Sequence, residues 1–284
     1  MAGPFTVACV QLTAARDIET NLPVLADRVR AARAAGAALI LLPENAAMLE
    51  PVPARVREKA RPESEHPALA VLRELARETG AWILIGSLAV RPTGAGAGAG
   101  VADKIVNRCL LVDDRGDVVA RYDKIHLFDV DLNADQVYRE SATVVPGDRA
   151  VVADTPWARL GLSVCYDLRF PALYRSLAKA GAEVLVVPAA FTRITGQAHW
   201  HVLLRARAIE TGCYVVAPAQ CGVHAEGRET YGHSLIVDPW GTVLADGGEG
   251  PGLIVAAIDP QLVADARRRI PSLTHDRPFL APER

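Results

Sequence analysis

Cys165 lies in the run Gly161-Leu-Ser-Val-Cys165-Tyr-Asp-Leu-Arg-Phe-Pro171, an apolar strand-like stretch that turns into a helix opened by proline. Such a turn can push a thiol into a cleft, where a helix N-terminus and a nearby cation favour thiolate. Position alone fits a buried structural thiol equally well, because free cysteine is often buried. A nucleophilic thiol needs a proton acceptor. Histidine is the usual one, and there are seven. His199 and His201, two positions apart on a helical stretch, point to different faces and make no metal pair, and no HExxH spacing occurs. A glutamate can replace histidine if burial lifts its pKa towards neutrality. Glu44, after Leu39–Pro43, is so placed, and Lys124 follows the strand-like Val118–Asp123. Taken singly, Glu44 also reads as a cap or surface residue and Lys124 as a solvated lysine. Their separations along the chain are too long for pattern alone to bring Glu44, Lys124 and Cys165 together.

The elements around these residues alternate in type. Phe5–Leu12, Leu39–Leu42, Trp82–Val90, Ile105–Val112, Val118–Tyr122, Leu160–Val164, Val184–Val187, Tyr214–Ala217, Ser234–Val237 and Leu253–Ile258 read as strands. Helical spacing predicts a helix capped by Thr20, with Leu22, Leu25, Ala26 and Val29 on one face. Further helices fit Pro67–Glu78, ended by Gly80, then Ala172–Ala180 and His199–Thr211. Asp113–Asp117 reads as a hairpin turn. The first half suggests βαβα units on a parallel sheet, and the apolar later strands call for two sheets packed face to face with helices outside. In such sheets, sites form at the carboxyl ends of strands, where Glu44, Lys124 and Cys165 all fall.

Composition narrows the function. The chain has 284 residues, half of them hydrophobic, with a formal net charge of −2. That balance offers nothing to nucleic acid or an acidic membrane. Arg267-Arg268-Arg269 reads as a solvated helix face. Met1–Val7 lacks a basic stretch followed by an apolar core, and no apolar run reaches the roughly 18 residues of a membrane span. A soluble cytoplasmic protein is expected. The five cysteines are dispersed, with no CxxC pair, so neither a disulfide framework nor a zinc site is indicated. Cys9, Cys109 and Cys213 read as buried structural thiols, and the role of Cys221 is open. The glycine–alanine run 93–100 reads as a flexible surface loop inside one domain spanning 1–284. No GxGxxG or GxxxxGK[ST] motif supports a nucleotide site.

Leu42-Pro-Glu44, Tyr122-Asp-Lys124-Ile-His-Leu-Phe and Cys165-Tyr-Asp-Leu-Arg-Phe-Pro171 resemble, in order and spacing, the three signature segments of the nitrilase superfamily of carbon–nitrogen hydrolases. Phe191–Trp200, Leu204–Thr211 and Tyr231–Gly241 are similar to its branch containing deaminated glutathione amidase and omega-amidase, and Arg207–Val216 with Ala219–Gly222 is closer to the first of these. The resemblance spans nearly the whole chain. It implies a four-layer α-β-β-α sandwich, homodimers or larger assemblies, and neither metal nor organic cofactor.

The same resemblance implies site roles. Glu44 is the general base, Lys124 the electrostatic stabiliser, Cys165 the nucleophile and Glu140 the residue that orients the lysine. The Tyr166 N–H joins Lys124 in the oxyanion hole. Arg169 matches a position that binds a substrate carboxylate, and Phe191 and Thr195 match pocket-lining positions. The implied substrate is a small amide, either deaminated glutathione or a related omega-amide of a dicarboxylic acid, cleaved through a thioester. An N-carbamoyl amino acid hydrolase or another aliphatic amidase is the alternative enzyme, and an inactive scaffold of the same fold the alternative of another class. The segment Asp129–Tyr138 departs from close relatives in lacking proline and glycine, and it is expected to border the site.

Overall fold

Along the first strand, alternate side chains enter different cores. The computed structural model describes residues 3–93, 103–134, 136–280 and 282, so most of the glycine–alanine run lies outside the described residues. Strand β1 (Phe5–Gln11) sends Val7 and Cys9 to one side and Ala8 and Val10 to the other. After α1 (Ile18–Ala34), β2 (Leu39–Leu41) repeats the pattern. Helices α2 (Pro53–Lys59) and α3 (Pro67–Thr79) precede β3 (Trp82–Val90), β4 (Val106–Val112) and β5 (Val118–Asp123). A ribbon of β6 (Asp129–Asn133) and β7 (Gln136–Arg139) follows. Next come β8 (Val151–Asp154), β9 (Arg159–Leu162), α4 (Pro171–Lys179), β10 (Val184–Val186), α5 (Arg193–Thr211) and β11 (Tyr214–Ala217). A second ribbon, β12 (Cys221–Val223) and β13 (Glu229–Tyr231), leads to β14 (Leu235–Val237), β15 (Val243–Asp246), β16 (Gly252–Ile258) and α6 (Pro260–Arg269).

Two six-stranded sheets result, in the orders β16-β1-β2-β3-β4-β5 and β15-β14-β11-β10-β9-β8. In each, three central strands are parallel, β1-β2-β3 and β9-β10-β11, and the outer strands are antiparallel. Because side chains alternate with period two, Val7, Cys9, Leu39, Leu41, Leu84 and Leu111 meet the second sheet, while Ala8, Val10, Ile40, Ile83 and Leu110 pack with Leu25, Val29, Leu69 and Leu72 of α1 and α3. Helices α4 and α5 bury Leu173, Leu177, Trp200 and Leu204 against the other sheet. The layers are α-β-β-α, the sandwich expected from the sequence.

Several boundaries differ from expectation. Helix α1 starts at Ile18 after Asp17, and Thr20 is exposed rather than capping. Asn21 closes this end: its amide donates to the carbonyls of Ala15, Asp17 and Ala47 and its oxygen accepts from Ala15 N. Helix α5 begins six residues before His199, at Arg193. Gly196, a poor helix former, hides this turn in the sequence, but it sits where a Cβ would lie 2.3 Å from Tyr231 Cβ. The arginine run ends α6, but Arg267 is not simply solvated. Its guanidinium donates to the carbonyls of Thr211 and Ala182. The turn 113–117 forms as expected, with Asp113 Oδ1 accepting from the N–H groups of Arg115 and Asp117.

Candidate functional site

The chain leaves β2 through Leu42 and Pro43, and Glu44 enters the space between the sheets' carboxyl ends. Gly86 of β3 permits this path, because a Cβ there would lie 2.1 Å from the Leu42 carbonyl oxygen. Asn45 takes a left-handed backbone (φ 57°), and its N–H donates to Ser87 Oγ at 3.0 Å. Gln220 donates to the Glu44 carbonyl at 3.0 Å. The Glu44 carboxylate is almost fully buried. Its Oε1 accepts from Lys124 Nζ at 2.9 Å and Asn107 Nδ2 at 3.0 Å, and its Oε2 from Ala190 N at 2.9 Å.

Lys124 follows β5 and is 2% exposed. Its ammonium also reaches Glu140, at 3.1 Å to Oε1 and 2.9 Å to Oε2. Asn107 bridges the two carboxylates, donating to Glu140 Oε1 at 3.2 Å as well as to Glu44. Glu140 is further fixed by the Phe128 N–H at 2.7 Å. One cation is thus held between two carboxylates, so it stays charged without solvent.

Cys165 sits in a left-handed conformation (φ 51°) on the 3-10 turn after β9, with its N–H donating to Pro188 O at 2.9 Å. This conformation is uncommon for a residue with a Cβ. Asp167 pins the turn, with Oδ2 accepting from Val164 N at 2.8 Å and the Tyr122 hydroxyl at 2.7 Å. Its Oδ1 accepts from His126 N at 3.0 Å and stands 2.7 Å from the His126 ring nitrogen.

The charges at this site oppose two expectations. Burial would raise the Glu44 carboxyl, but Lys124 and hydrogen bonds from Cys165 and Lys124 hold it below the ordinary carboxylate value rather than near neutrality. Burial pushes the Cys165 thiol well above its usual value, and Glu44 adds to this against the pull of Lys124. The resting pair is therefore thiol and carboxylate, not the thiolate favoured on sequence grounds. Burial works against the Lys124 charge, but Glu140 and Glu44 hold its pKa well above normal.

Glu44, Lys124, Glu140, Cys165 and Tyr166 line one cavity of about 410 Å³ with Phe191 and Thr195, so seven of the eight residues singled out in the sequence converge. The segment 129–138 borders the cavity as expected, through Val137 and Tyr138 of β7, with Phe128 and Arg139 on either side of it also on the wall. Arg169 does not line it. Its guanidinium lies over the rings of Tyr166 and Phe191 and donates to His199 Nδ1 at 3.2 Å. The sequence reading missed Asn107 and Arg228, both on the cavity wall. No local motif marks either one. All five cysteines are free and buried, including Cys221, whose Sγ lies 3.5 Å from Thr13 Oγ1.

His199 and His201 do face different ways. His201 Nε2 stands 2.9 Å from Asp246 Oδ2, and His233 Nδ1 2.8 Å from Asp246 Oδ1. The donor atoms of His201, His233 and Asp246 lie within 4.8 Å of one another, and among the described residues this is the one His/Cys/Asp/Glu group spaced to hold a metal ion. It stands apart from the cavity wall.

A relative described as deaminated glutathione amidase from Bos taurus is 44% identical over 275 residues, covering 96% of this chain and 82% of its own. The Caenorhabditis elegans NitFhit protein superposes with a TM-score of 0.88 at 36% identity, covering 98% of this chain; the chain spans only 66% of that longer protein. Saccharomyces cerevisiae Nit3, described as a member of branch 10 of the nitrilase superfamily, gives 0.85 at 29% identity, covering 98% of this chain and 97% of its own. Residues 6–268 match the carbon-nitrogen hydrolase family, and with these relatives the match shows that the chain belongs to that family, within the nitrilase superfamily.

Proposed function

We propose that the chain is a cysteine-dependent amidohydrolase that cleaves deaminated glutathione, or a related omega-amide of a short dicarboxylic acid. The observation that carries this reading is the convergence of Cys165, Glu44, Lys124 and Glu140 on one cavity wall, with Lys124 Nζ held 2.9 Å from both Glu44 and Glu140. The name of the Bos taurus relative supports the substrate. Within the cavity we assign Glu44 as base, Lys124 and the Tyr166 N–H as oxyanion donors, Cys165 as nucleophile and Glu140 as the residue that positions Lys124. Phe191 and Thr195 shape the acyl pocket. Arg169, now packed over Phe191, turns to the substrate's free carboxylate when the acyl group is bound.

The reaction follows from the resting charges. Glu44 takes the thiol proton as Sγ bonds to the amide carbon, so no free thiolate has to exist beforehand. The carbonyl oxygen becomes an anion between Lys124 Nζ and Tyr166 N–H; removing one such donor typically costs about 10²–10³ in rate. Glu44 passes its proton to the amide nitrogen, the C–N bond breaks and the amine leaves a thioester. Glu44 then deprotonates water, hydroxide attacks the thioester, and the departing sulfur recovers the proton from Glu44.

The test is turnover of deaminated glutathione to 2-oxoglutarate and cysteinylglycine, with mass spectrometry for an acyl adduct on Cys165. Carbon dioxide release from N-carbamoyl amino acids marks the alternative enzyme. Absence of any turnover or adduct marks a scaffold, and full activity in Cys165→Ala would end the mechanism. We also propose that the chain acts as one domain and assembles as a homo-oligomer across α5, where Ile194, Val202 and Ile209 are exposed. A cytoplasmic location suits its five free thiols. Among the described residues no helix is long and apolar enough to cross a membrane.

A further inference from the structure

Among the described residues, Arg228 is the cavity-lining cation that no carboxylate pairs. Lys124 is paired with Glu44 and Glu140, and Arg139 is paired with Asp131. Arg169 lies outside the wall, against His199. Arg228 lines the cavity, with its guanidinium 5.9 Å from the centre of the Tyr138 ring and Nη2 only 3.4 Å from the Ala190 carbonyl oxygen. Its Nε is buried with no hydrogen-bond partner, and among the described residues no carboxylate pairs with it. A buried guanidinium N–H without an acceptor is costly and calls for an explanation. A bound carboxylate supplies one, since the guanidinium fork matches two carboxylate oxygens.

The loop carrying Arg228 is built to hold it still. It joins β12 to β13, and the buried His224 fastens it, with ring nitrogens 3.0 Å from Ala14 O and 2.7 Å from Thr230 Oγ1. His224 N donates to Arg228 O at 2.8 Å.

The location of Arg228 indicates which end of the substrate it meets. Ala190, whose carbonyl faces Arg228, donates its N–H to Glu44 Oε2. The Arg228 charge also helps to hold the Glu44 carboxyl down. Arg228 thus lies on the Glu44 side, and Glu44 protonates the leaving nitrogen. The group attached to that nitrogen must extend past Glu44, whereas the oxyanion points to Lys124.

We propose that Arg228 binds a carboxylate on the departing amine, making a second anionic subsite that selects amides whose leaving group is itself an acid, such as a dipeptide, over amides that release ammonia. This rests on the amidohydrolase reading above. In deaminated glutathione the group bound is the terminal glycine carboxylate, and in 2-oxoglutaramate no such group exists.

The test compares kcat/KM for deaminated glutathione, its glycinamide analogue and 2-oxoglutaramate in the wild type, Arg228→Ala and Arg228→Lys. The ratio of kcat/KM for deaminated glutathione to that for 2-oxoglutaramate falls about 10- to 100-fold in Arg228→Ala, as expected for loss of a charged hydrogen-bonded pair. Most of the fall is in KM, and Arg228→Lys restores part of it. Amidating the glycine carboxylate costs the wild type a similar factor and costs Arg228→Ala little, which identifies the pair even if the variant is less stable. An unchanged ratio in Arg228→Ala, or an amidation penalty equal in both proteins, overturns the assignment alone. Wild-type protein that hydrolyses neither natural amide overturns the substrate reading, and the subsite with it.

Discussion

The Tyr122 hydroxyl donates to Asp167 Oδ2 at 2.7 Å, tying the strand that leads to Lys124 to the turn that carries Cys165. Asp167 is fully buried and also accepts from Val164 N and His126 N, so it fixes both segments at once. Tyr122→Phe removes one donor to a charged acceptor and should cost about 1.5–3 kcal/mol in stability. Asp167→Ala leaves several buried donors unpaired and should cost more. Urea unfolding measures both. Turnover should drop further in Asp167→Ala than in Tyr122→Phe, because only the former frees the Cys165 turn. Equal stability of all three proteins would show that the contact does not tie the segments together.

The pH profile separates a glutamate base from a histidine base. The Glu44 pKa is held below the ordinary carboxylate value, so the base is available at every pH above about 4.3 and is lost only as pH falls further. The Lys124 pKa is raised, so its charge persists beyond about pH 10.4. The Cys165 thiol is raised as well, so no gain in activity should appear near pH 8.5, where an ordinary thiol ionises. A plot of kcat/KM against pH should be flat from about pH 5 to 9. An inflection near pH 6.5 would indicate histidine instead.

How much was legible in advance depended on the range of the signal. The period-two apolar strands and the Cys165 turn are local, so sheet membership and one nucleophile candidate could be read directly. The triad required an ordered match over long separations. The protonation of Glu44 depends on Lys124, and that of Cys165 on burial and on Glu44, residues far apart along the chain whose mutual distances no pattern encodes. Asn107 and Arg228 were missed for the same reason. An asparagine inside a strand and an arginine in a loop look ordinary until the fold sets one between two carboxylates and the other on a cavity wall. Helix α6 carried a readable start, with Asp259 accepting from Gln261 N and Pro260 in the first turn, but its sequence is polar and only Pro260 and Val263 are buried, so few apolar residues mark its face.

Gly86 positions Glu44 without carrying any chemistry. A Cβ there would lie 2.1 Å from Leu42 O and 2.5 Å from Pro188 Cβ, and the backbone oxygen cannot swing aside. Gly86→Ala should destabilise by about 1–3 kcal/mol through overpacking. It should also lower kcat by about 10²-fold if the Glu44 segment moves by an ångström. Gly252→Ala, at a position with open space, is the control and should stay within about 0.5 kcal/mol. Gly86→Ala with wild-type kcat would mean that Glu44 is placed by other contacts.

Lys124 has two roles that one substitution can separate. Lys124→Gln removes an oxyanion donor's charge, and kcat should fall by about 10²–10³. It also leaves Glu44 and Glu140, which Lys124 Nζ now contacts at 2.9 Å each, without their shared cation. Two close carboxylates do not both stay ionised easily, so one binds a proton more tightly. The acid limb of the residual kcat/KM should therefore move up in pH relative to the wild type. Adding Glu140→Gln should move it back down, because the repelling charge is gone, without restoring kcat. An acid limb unmoved by Lys124→Gln would mean that Lys124 does not set the Glu44 charge, and kcat within threefold of wild type would remove it from the oxyanion site.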